Sequence, residues 1–565
     1  MKIPLTLGKS LSLDVALIHP PSVYDFRESP SYASMISEVI PSMYVFDMMP
    51  YGFLTLATYL ERNGLNVAIF NVAAKMLKDR SFDFEKYIRR IEADLFGIDL
   101  HWAVHAQGAM EIARIIKEIH PESKVVLGGL SSTYFRYEVI RYPFIDAILT
   151  GDSAELPLLR YIEEGPEKTP NVIWKDGGRI RENPLSWIPE SLDGFEIDHE
   201  FLLRNVKKTR DLAISSPFAS FDEAPIAGVI TMKGCPFNCI TCGGSRFAYE
   251  RAFMRRKLAI KSPEAIADEV EGIARISKMP IFFVGDLRIG GIGRVERVSK
   301  LLKKLDLENE LIFEFFTPPS KEVLGYIRGT SHSVYLQISP ESPFEDIRRA
   351  FGRPYTNQSL EKMISNSESL GFERLDLYFM VGLPLQRREH ATSVADYFRK
   401  LREISKRLDS FVSPLAPFVD PGSIAYTDPE AFGYRITLRD FEDYRRALLS
   451  RHWVNSLNYE TRWMNKKEIA EASLDAYERL LTERYLQGIV EEEAYELARE
   501  RIELDRLVLD RVERGISIDD LKDRIDELAR RSDARVKKGL SLYPTSKLAE
   551  RIRNPILRAL ITLVR

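Results

Sequence analysis

Short apolar runs alternate with longer stretches in which apolar side chains recur every third or fourth position, and this alternation continues through residue 415 of the 565. Residues 14–21 read as a buried strand ended by Pro20 and Pro21, and 50–64 as an amphipathic helix stopped by Gly64. Strands follow at 66–71 and 95–98, a helix at 106–119, a strand at 124–129 ending in Gly128 and Gly129, and a strand at 146–151 ending in Gly151. Strands alternating with helices predict an α/β fold built on a parallel, doubly wound sheet. Such sheets bind ligands beyond the carboxyl ends of their strands, where Gly128, Gly129 and Gly151 fall.

The pattern then loosens. Residues 166–225 read as a connector, with 170–174 and 178–183 pairing as a hairpin around Lys175-Asp-Gly-Gly178, and 217–225 as a linker. Between 226 and 415 the alternation returns, with strands at 227–232, 281–284, 312–316, 333–339, 375–381 and 410–415. Helices read at 263–277, 294–305, 321–328, 359–370 and 391–408, giving six β/α units. From 416 to 565 the chain is mainly helical. Residues 418–423 and 433–437 read as loops, 453–463 as an aromatic and polar stretch, and 466–532 as two or three charged, solvated helices. A last helix at 549–565 carries Arg551, Arg553, Arg558 and Arg565 beside an apolar face, a combination that suits either a docked helix or peripheral contact with an anionic membrane. The expected units are therefore 1–165, 166–225, 226–415 and 416–565.

Composition narrows the class. With 45% hydrophobic residues and a net charge of −3, the chain can bury large cores and shows no bulk basicity that would point to nucleic acid. The opening apolar run is too short for a signal peptide, and no long apolar span appears, so a cytoplasmic protein is expected, peripheral at the membrane if the last helix lies on one.

The chemistry concentrates in one place. All three cysteines of the chain, Cys235, Cys239 and Cys242, lie within eight residues. Three thiolates on one loop suit three irons of a [4Fe–4S] cluster and leave the fourth iron open. A structural zinc wants a fourth ligand, and His199 and His332 are far off in sequence. A disulfide would leave one thiol over.

The C-x3-C-x2-C spacing resembles that of the radical S-adenosylmethionine (SAM) superfamily, with Thr241 at a position usually aromatic there. The resemblance implies a partial (β/α)6 barrel of TIM type over 226–415, with the open iron chelating the amino and carboxylate groups of SAM. Gly243 and Gly244 would bend closely round the cluster. Gly285 and Asp286 stand where a Gly-Gly-Glu motif binds the SAM amino group. Ser339 and Glu341 would meet the ribose hydroxyls, Arg353 the SAM carboxylate, and Gly382 opens a Gly-x-Pro turn near the adenine. Residues 14–165, directly before this barrel, resemble the Rossmann-like cobalamin-binding domain of class B, cobalamin-dependent radical SAM enzymes. The matching pieces are Leu17-Ile-His-Pro-Pro21, Pro50-Tyr-Gly52, Leu127-Gly-Gly129 and the stretch from Asp146 through Gly151-Asp-Ser-Ala-Glu155. The D-x-H-x-x-G motif of other cobalamin proteins is half present. Asp99-Leu-His101 matches and Val104 replaces the glycine, so His101 and His105 are expected beside the corrin as polar loop residues. Asp420-Pro-Gly-Ser423 and Asn458-Tyr-Glu-Thr461 resemble pieces of an archaeal branch of the class.

The implied function is SAM cleavage and functionalisation of an unactivated C–H carbon, foremost C-methylation. The alternatives are radical C–C bond or ring formation on an archaeal tetraether membrane lipid and, from another class, a non-catalytic cobalamin-binding sensor. A methylthiotransferase would need three more cysteines. The implied partners are a small-molecule or lipid substrate and an electron donor such as ferredoxin or flavodoxin. No residue is assigned a catalytic role from sequence.

Overall fold

The structure, a computed structural model, describes residues 11–28, 45–415, 419–535, 547–555 and 558–559. The first sheet comprises β1 (Leu11–His19), β2 (Val67–Asn71), β3 (Ile91–Asp99), β4 (Lys124–Gly128), β5 (Ala147–Leu149), β6 (Val172–Asp176) and β7 (Arg179–Glu182), in the order β2-β1-β3-β4-β5-β6-β7. β1 is buried from Val15 to His19 because helices cover both faces of the sheet there. Its alternation sends Val15 and Leu17 to the side of helix Gly52–Arg62, and Ala16 and Ile18 to the side of helix Ala106–Ile119. Since β1 pairs with both β2 and β3, the winding reverses between them, and a crevice opens at the carboxyl ends of β1 and β3.

The hairpin expected in the connector forms, with Lys175 opposite Ile180, but it belongs to this sheet. β6 pairs antiparallel to the three-residue β5, so the sheet is mixed rather than wholly parallel. A short edge strand otherwise leaves its backbone groups open to a foreign strand, and the hairpin covers that edge.

The second sheet begins with β8 (Ala227–Ile230). Two short strands, β9 (Met232–Lys233) and β10 (Ala259–Ile260), pair with each other beside it. Then come β11 (Ile281–Val284), β12 (Leu311–Phe315), β13 (Val334–Glu341), β14 (Arg374–Val381) and β15 (Leu408–Pro414). The six main strands are parallel in the order β15-β14-β13-β12-β11-β8, the wall expected of the partial barrel. Phe283 and Phe313 stack at 4.5 Å within the apolar core. Ile312 and Glu314 point the other way, in register with Tyr335 and Gln337.

Three charged helices follow as expected: Lys466–Leu486, Glu492–Glu513 and Lys522–Arg535. The first packs along β15, where its Arg484 donates to Asp409 at 2.8 and 3.0 Å. The expected loop at 433–437 is instead β16 (Tyr434–Ile436), paired with β17 (Tyr459–Thr461). Three residues are too few to show a strand period, and the partner lies beyond the helix Phe441–Ala447. Of the helix expected at 549–565, the described residues form a turn at Leu548–Arg551, then Ile552 bridging to Ser277, and residues 555 and 558–559 are helical again, with Arg558 N–H donating to Asn554 O at 2.9 Å. Arg551 pairs with Glu310 at 2.8 Å and Arg553 with Glu308 at 2.8 Å. Two arginines expected to face a bilayer are thus held on the barrel by carboxylates that precede β12. Ile556, Leu557, Leu560, Ile561, Leu563 and Arg565 lie outside the described residues. Among the described residues no helix is long and apolar enough to cross a membrane.

The two sheets meet through Tyr51, whose ring occupies the space beside Gly228 on β8. A β-carbon there would lie 2.4 Å from the ring. Gly228→Ala is therefore expected to cost about 1–3 kcal/mol by overpacking, lowering the thermal midpoint, and adding Tyr51→Ala should recover part of the loss. A full-length variant melting like the wild type would show that the ring moves aside freely.

Candidate active site

The cysteine loop follows β9 and is held from two other parts of the chain. Ile240 donates its N–H to Phe351 O at 3.0 Å, and Ala425 donates to Ile240 O at 2.8 Å. Asp420 donates its N–H to Thr241 O at 3.0 Å and accepts from Gly243 N–H through Oδ2 at 2.8 Å. Gly352, with φ +112, packs against Asn238 and Cys239 so closely that a β-carbon would sit 2.7 Å from Asn238 O. All three cysteines are unbridged. Burial pushes the thiols up, Cys239 to about 11 and Cys242 further, with Asp420 adding to the effect at Cys242. Arg353 opposes it at Cys235 and Cys239, and Gly244 N–H, 3.3 Å from Cys242 Sγ, opposes it there. Buried thiols of this kind become thiolates when a metal supplies the positive charge. Among the described residues no group of three or more His, Cys, Asp or Glu converges on a single metal ion. A cluster makes no such demand, because each thiolate takes its own iron.

Around this loop lie the carboxyl ends of β11, β12 and β13. Glu341 is buried with φ +67, at a shift in the β13–β14 register that turns its side chain into the barrel mouth. Its carboxylate lies 3.5 Å from Arg353 Nε, and Arg353 Nη1 donates to Phe316 O at 2.7 Å. Burial pushes Glu341 up to about 7 despite Arg353 and Arg348 nearby. Asp286, expected to receive the SAM amino group, is instead fully engaged. Its two oxygens accept from Arg288 N–H, Nε and Nη2 and from Phe316 N–H, all within 3.0 Å. Ser339 is half-buried, and its carbonyl accepts from Tyr355 OH at 3.1 Å. Gly285 packs against Met232 and Thr231. Gly382 faces the C-terminal region, since a β-carbon there would meet Tyr459 OH at 2.2 Å and its carbonyl accepts from Tyr434 OH.

In the first sheet, His19 and Asp99 meet in the crevice between β1 and β3. His19 Nδ1–H donates to Asp99 Oδ2 at 2.8 Å, because a carboxylate can only accept. Asp99 Oδ1 accepts from His101 N–H at 2.8 Å. Burial drives Asp99 up, but the His19 hydrogen bond and the neighbouring imidazoles more than offset it, and the net shift is downward. His105 contacts Phe46 O through Nε2 at 3.0 Å, and its buried Nδ1 makes no hydrogen bond among the described residues. Burial pushes His105 down to about 4 and lowers His101 too, Lys233 adding to the latter effect and Asp99 opposing it. Both rings are therefore neutral near pH 7, the form able to ligate or to accept. Gly129, with φ +122, lets the backbone of His101 approach within 2.5 Å of where its β-carbon would be. Gly128 has open space on its side-chain side. Gly151, on its side-chain side, packs toward Asn171 and Leu185, and its N–H donates to Thr133 Oγ1 at 3.0 Å.

The stretch Gly151-Asp-Ser-Ala-Glu155 joins the two halves. Asp152 forms a buried bidentate pair with Arg255. Ser153 and Glu155 receive Lys233 Nζ at 3.0 and 3.4 Å. Lys233 stands two residues before Cys235, so the cysteine loop and the carboxyl edge of the first sheet abut. Sequence reasoning missed Lys233, Arg255, Asp420 and Glu314. The signal for Asp420 was present in the Asp420-Pro-Gly-Ser423 motif, whereas Lys233, Arg255 and Glu314 carry none.

Residues 39–157 match the B12 binding domain family, and residues 229–398 match the Radical SAM superfamily. The chain is 26% identical over 361 residues to an uncharacterized methyltransferase of Pyrococcus horikoshii, covering 62% of this chain and 73% of that one. In fold it is similar to the radical SAM methyltransferase TsrM of Kitasatospora setae, with a TM-score of 0.53, 14% identity and coverage of 76% and 79% of the two chains. It is also similar to the cobalamin-dependent SAM radical enzyme OxsB, with a TM-score of 0.56, 13% identity and coverage of 98% and 83%.

The raised position of Glu341 fixes a sign for stability. Its contribution is fully present below the ordinary carboxylate range near 4.5 and is lost as pH rises through about 7. Relative to wild type, cluster-free Glu341→Gln is expected to gain roughly 2–3 kcal/mol between pH 4.5 and 8. Urea denaturation at the two pH values measures it, and a difference independent of pH would contradict the burial argument.

Proposed function

We propose that this chain, a B12-binding domain joined to a radical SAM domain, is a cobalamin-dependent radical SAM enzyme that methylates an unactivated carbon. The observation that carries the reading is the abutment of the three-cysteine loop on the carboxyl edge of the first sheet through Lys233 and Arg255. Cys235, Cys239 and Cys242 would hold a [4Fe–4S] cluster; Arg353, Glu341 and Ser339 surround the place for SAM; and His101, Gly128 and Gly129 border the place for cobalamin. When bound, these groups supply reductive SAM cleavage and a methyl group carried on cobalt.

The protein's own residues bind and orient. Arg353 presents a guanidinium whose buried Nε, 3.5 Å from Glu341, makes no hydrogen bond among the described residues, matched to a carboxylate. Glu341, when ionised, accepts hydrogen bonds donated by hydroxyl groups. Asp420 holds the turn at Gly243 and Gly244, fixing the side of the loop on which Cys242 lies. The buried Asp152–Arg255 pair, flanked by Lys233, keeps the two reactive regions at one separation, since breaking such a pair strands a charge. A low-potential donor such as ferredoxin or flavodoxin would supply the electron. The substrate is a small molecule or lipid. The anchoring of Arg551 and Arg553 on the barrel weakens the case for approach from a bilayer.

The test is anaerobic incubation of cluster-loaded protein with hydroxocobalamin, reductant, methyl-labelled SAM and a cell extract. The expected products are 5′-deoxyadenosine, S-adenosylhomocysteine and label in one extract component. Any single Cys→Ala change in the loop should abolish 5′-deoxyadenosine. Deoxyadenosine without transferred label would replace methylation by ring or C–C bond formation, and neither product would leave a cobalamin-binding protein without this chemistry.

A further inference from the structure

Asp286 cannot accept another hydrogen bond, because four donors already fill the roughly four acceptor sites of its carboxylate. Its oxygens serve to staple the turn after β11 to Arg288 and to the end of β12. A second carboxylate stands beside it. Glu314, on β12, accepts from Gly285 N–H, and no other hydrogen bond to its side chain is formed among the described residues. The Gly285 contact fixes one oxygen and leaves the remaining acceptor sites of the group at the barrel mouth. Glu314 stands two residues before Phe316, whose carbonyl accepts from Arg353 Nη1 at 2.7 Å, and it lies within electrostatic reach of both Arg353 and Cys235. Across the ladder it is in register with Gln337, whose buried Nε2 makes no hydrogen bond among the described residues, nor does Arg353 Nε, 3.5 Å from Glu341.

The mouth therefore presents carboxylates short of donors beside buried N–H groups short of acceptors. The amino-acid head of SAM carries the complement of both, an amine and a carboxylate on one carbon. We infer that Glu314, in place of Asp286, receives the amino group of SAM, an assignment that rests on the SAM site proposed above. The Gly285 N–H then has a stated role: it orients the acceptor that Asp286, held by Arg288, cannot supply. The burial that pushes Glu314 up to about 7 agrees with a carboxylate that gains its charge partner only on binding.

The experiment uses the full chain, reconstituted anaerobically, with iron and sulfide measured to establish equal cluster loading. Affinities are measured by calorimetry for SAM and for the analogue in which hydrogen replaces the amino group. Glu314→Gln, which preserves an acceptor for Gly285 N–H, should weaken SAM about tenfold or more and leave the affinity for the deaminated analogue unchanged. Equal loss for both ligands, or no loss for SAM, overturns the assignment. Should Glu314→Gln fail to hold its cluster, Glu314→Asp is put through the same comparison, where an undiminished preference for SAM overturns it. Wild-type protein that holds the cluster yet binds no SAM would instead refute the SAM site itself.

Discussion

The Cys235–Cys242 loop has no regular ladder of its own, so its shape depends on backbone hydrogen bonds from two distant segments. Phe351 O takes the N–H of Ile240, while Asp420 and Ala425 bond to Thr241, Gly243 and Ile240. Gly352 completes the grip by letting the chain after helix Glu345–Phe351 press on Asn238. A loop that must keep three thiols at fixed separations loses much conformational entropy on ordering. The clamp meets that cost with contacts from the fourth β/α unit and from the region beyond the barrel. This explains why the C-terminal region packs on the mouth rather than standing apart: Asn458 pairs with both backbone groups of Val419, next to Asp420, and Tyr459 OH donates to Leu415 O.

Electrostatics gives the same region its second property. Glu314, Glu341 and Asp420 are all pushed well above the usual carboxylate range by burial, and the three thiols are pushed up as well. Arg353 is the guanidinium whose charge reaches most of them. A site so short of positive charge is unfavourable by itself and complements cationic ligands, whether metal ions or a sulfonium. Elsewhere buried carboxylates are paired with guanidinium groups, as Asp376 and Asp409 on β14 and β15 are with Arg374 and Arg484, although burial pushes Asp376 up to about 7 there too. The mouth differs in pairing: Glu314 and Asp420 form no ion pair among the described residues and accept only from backbone N–H groups, which marks where ligands are expected.

The crevice of the first sheet follows from topology. The order β2-β1-β3 puts the carboxyl ends of β1 and β3 side by side where the winding reverses. His19 at the end of one strand and Asp99 at the end of the other meet there, with His101 placed by the Asp99 carboxylate. The stretch after β5, inside the part that matches the B12 binding domain family, also fastens the two halves through Asp152, Ser153 and Glu155.

Much of this was legible in the chain. Hydrophobic periodicity marked the parallel strands and most helices of both sheets, because those strands are largely buried on both faces and the helices on one, whereas the hairpin strand β7 is exposed throughout. The cysteine spacing located the cluster loop, because thiolates are rare and their chemistry demands proximity. What periodicity cannot carry is pairing between distant residues. The hairpin at 172–182 was visible, but not that it would join the first sheet; β16 was too short to show any period at all. Asp286 had the right type and place in a motif, yet the fold gave it to Arg288 two residues on and to Phe316, and left Glu314 at the mouth. The arginines of the last segment had the composition of a membrane face, and Glu308 and Glu310 claimed two of them. Local sequence sets which groups exist and on which element they ride. Only the tertiary structure, by deciding which charges and donors come within hydrogen-bonding distance, determines which of them remain free to act on a ligand.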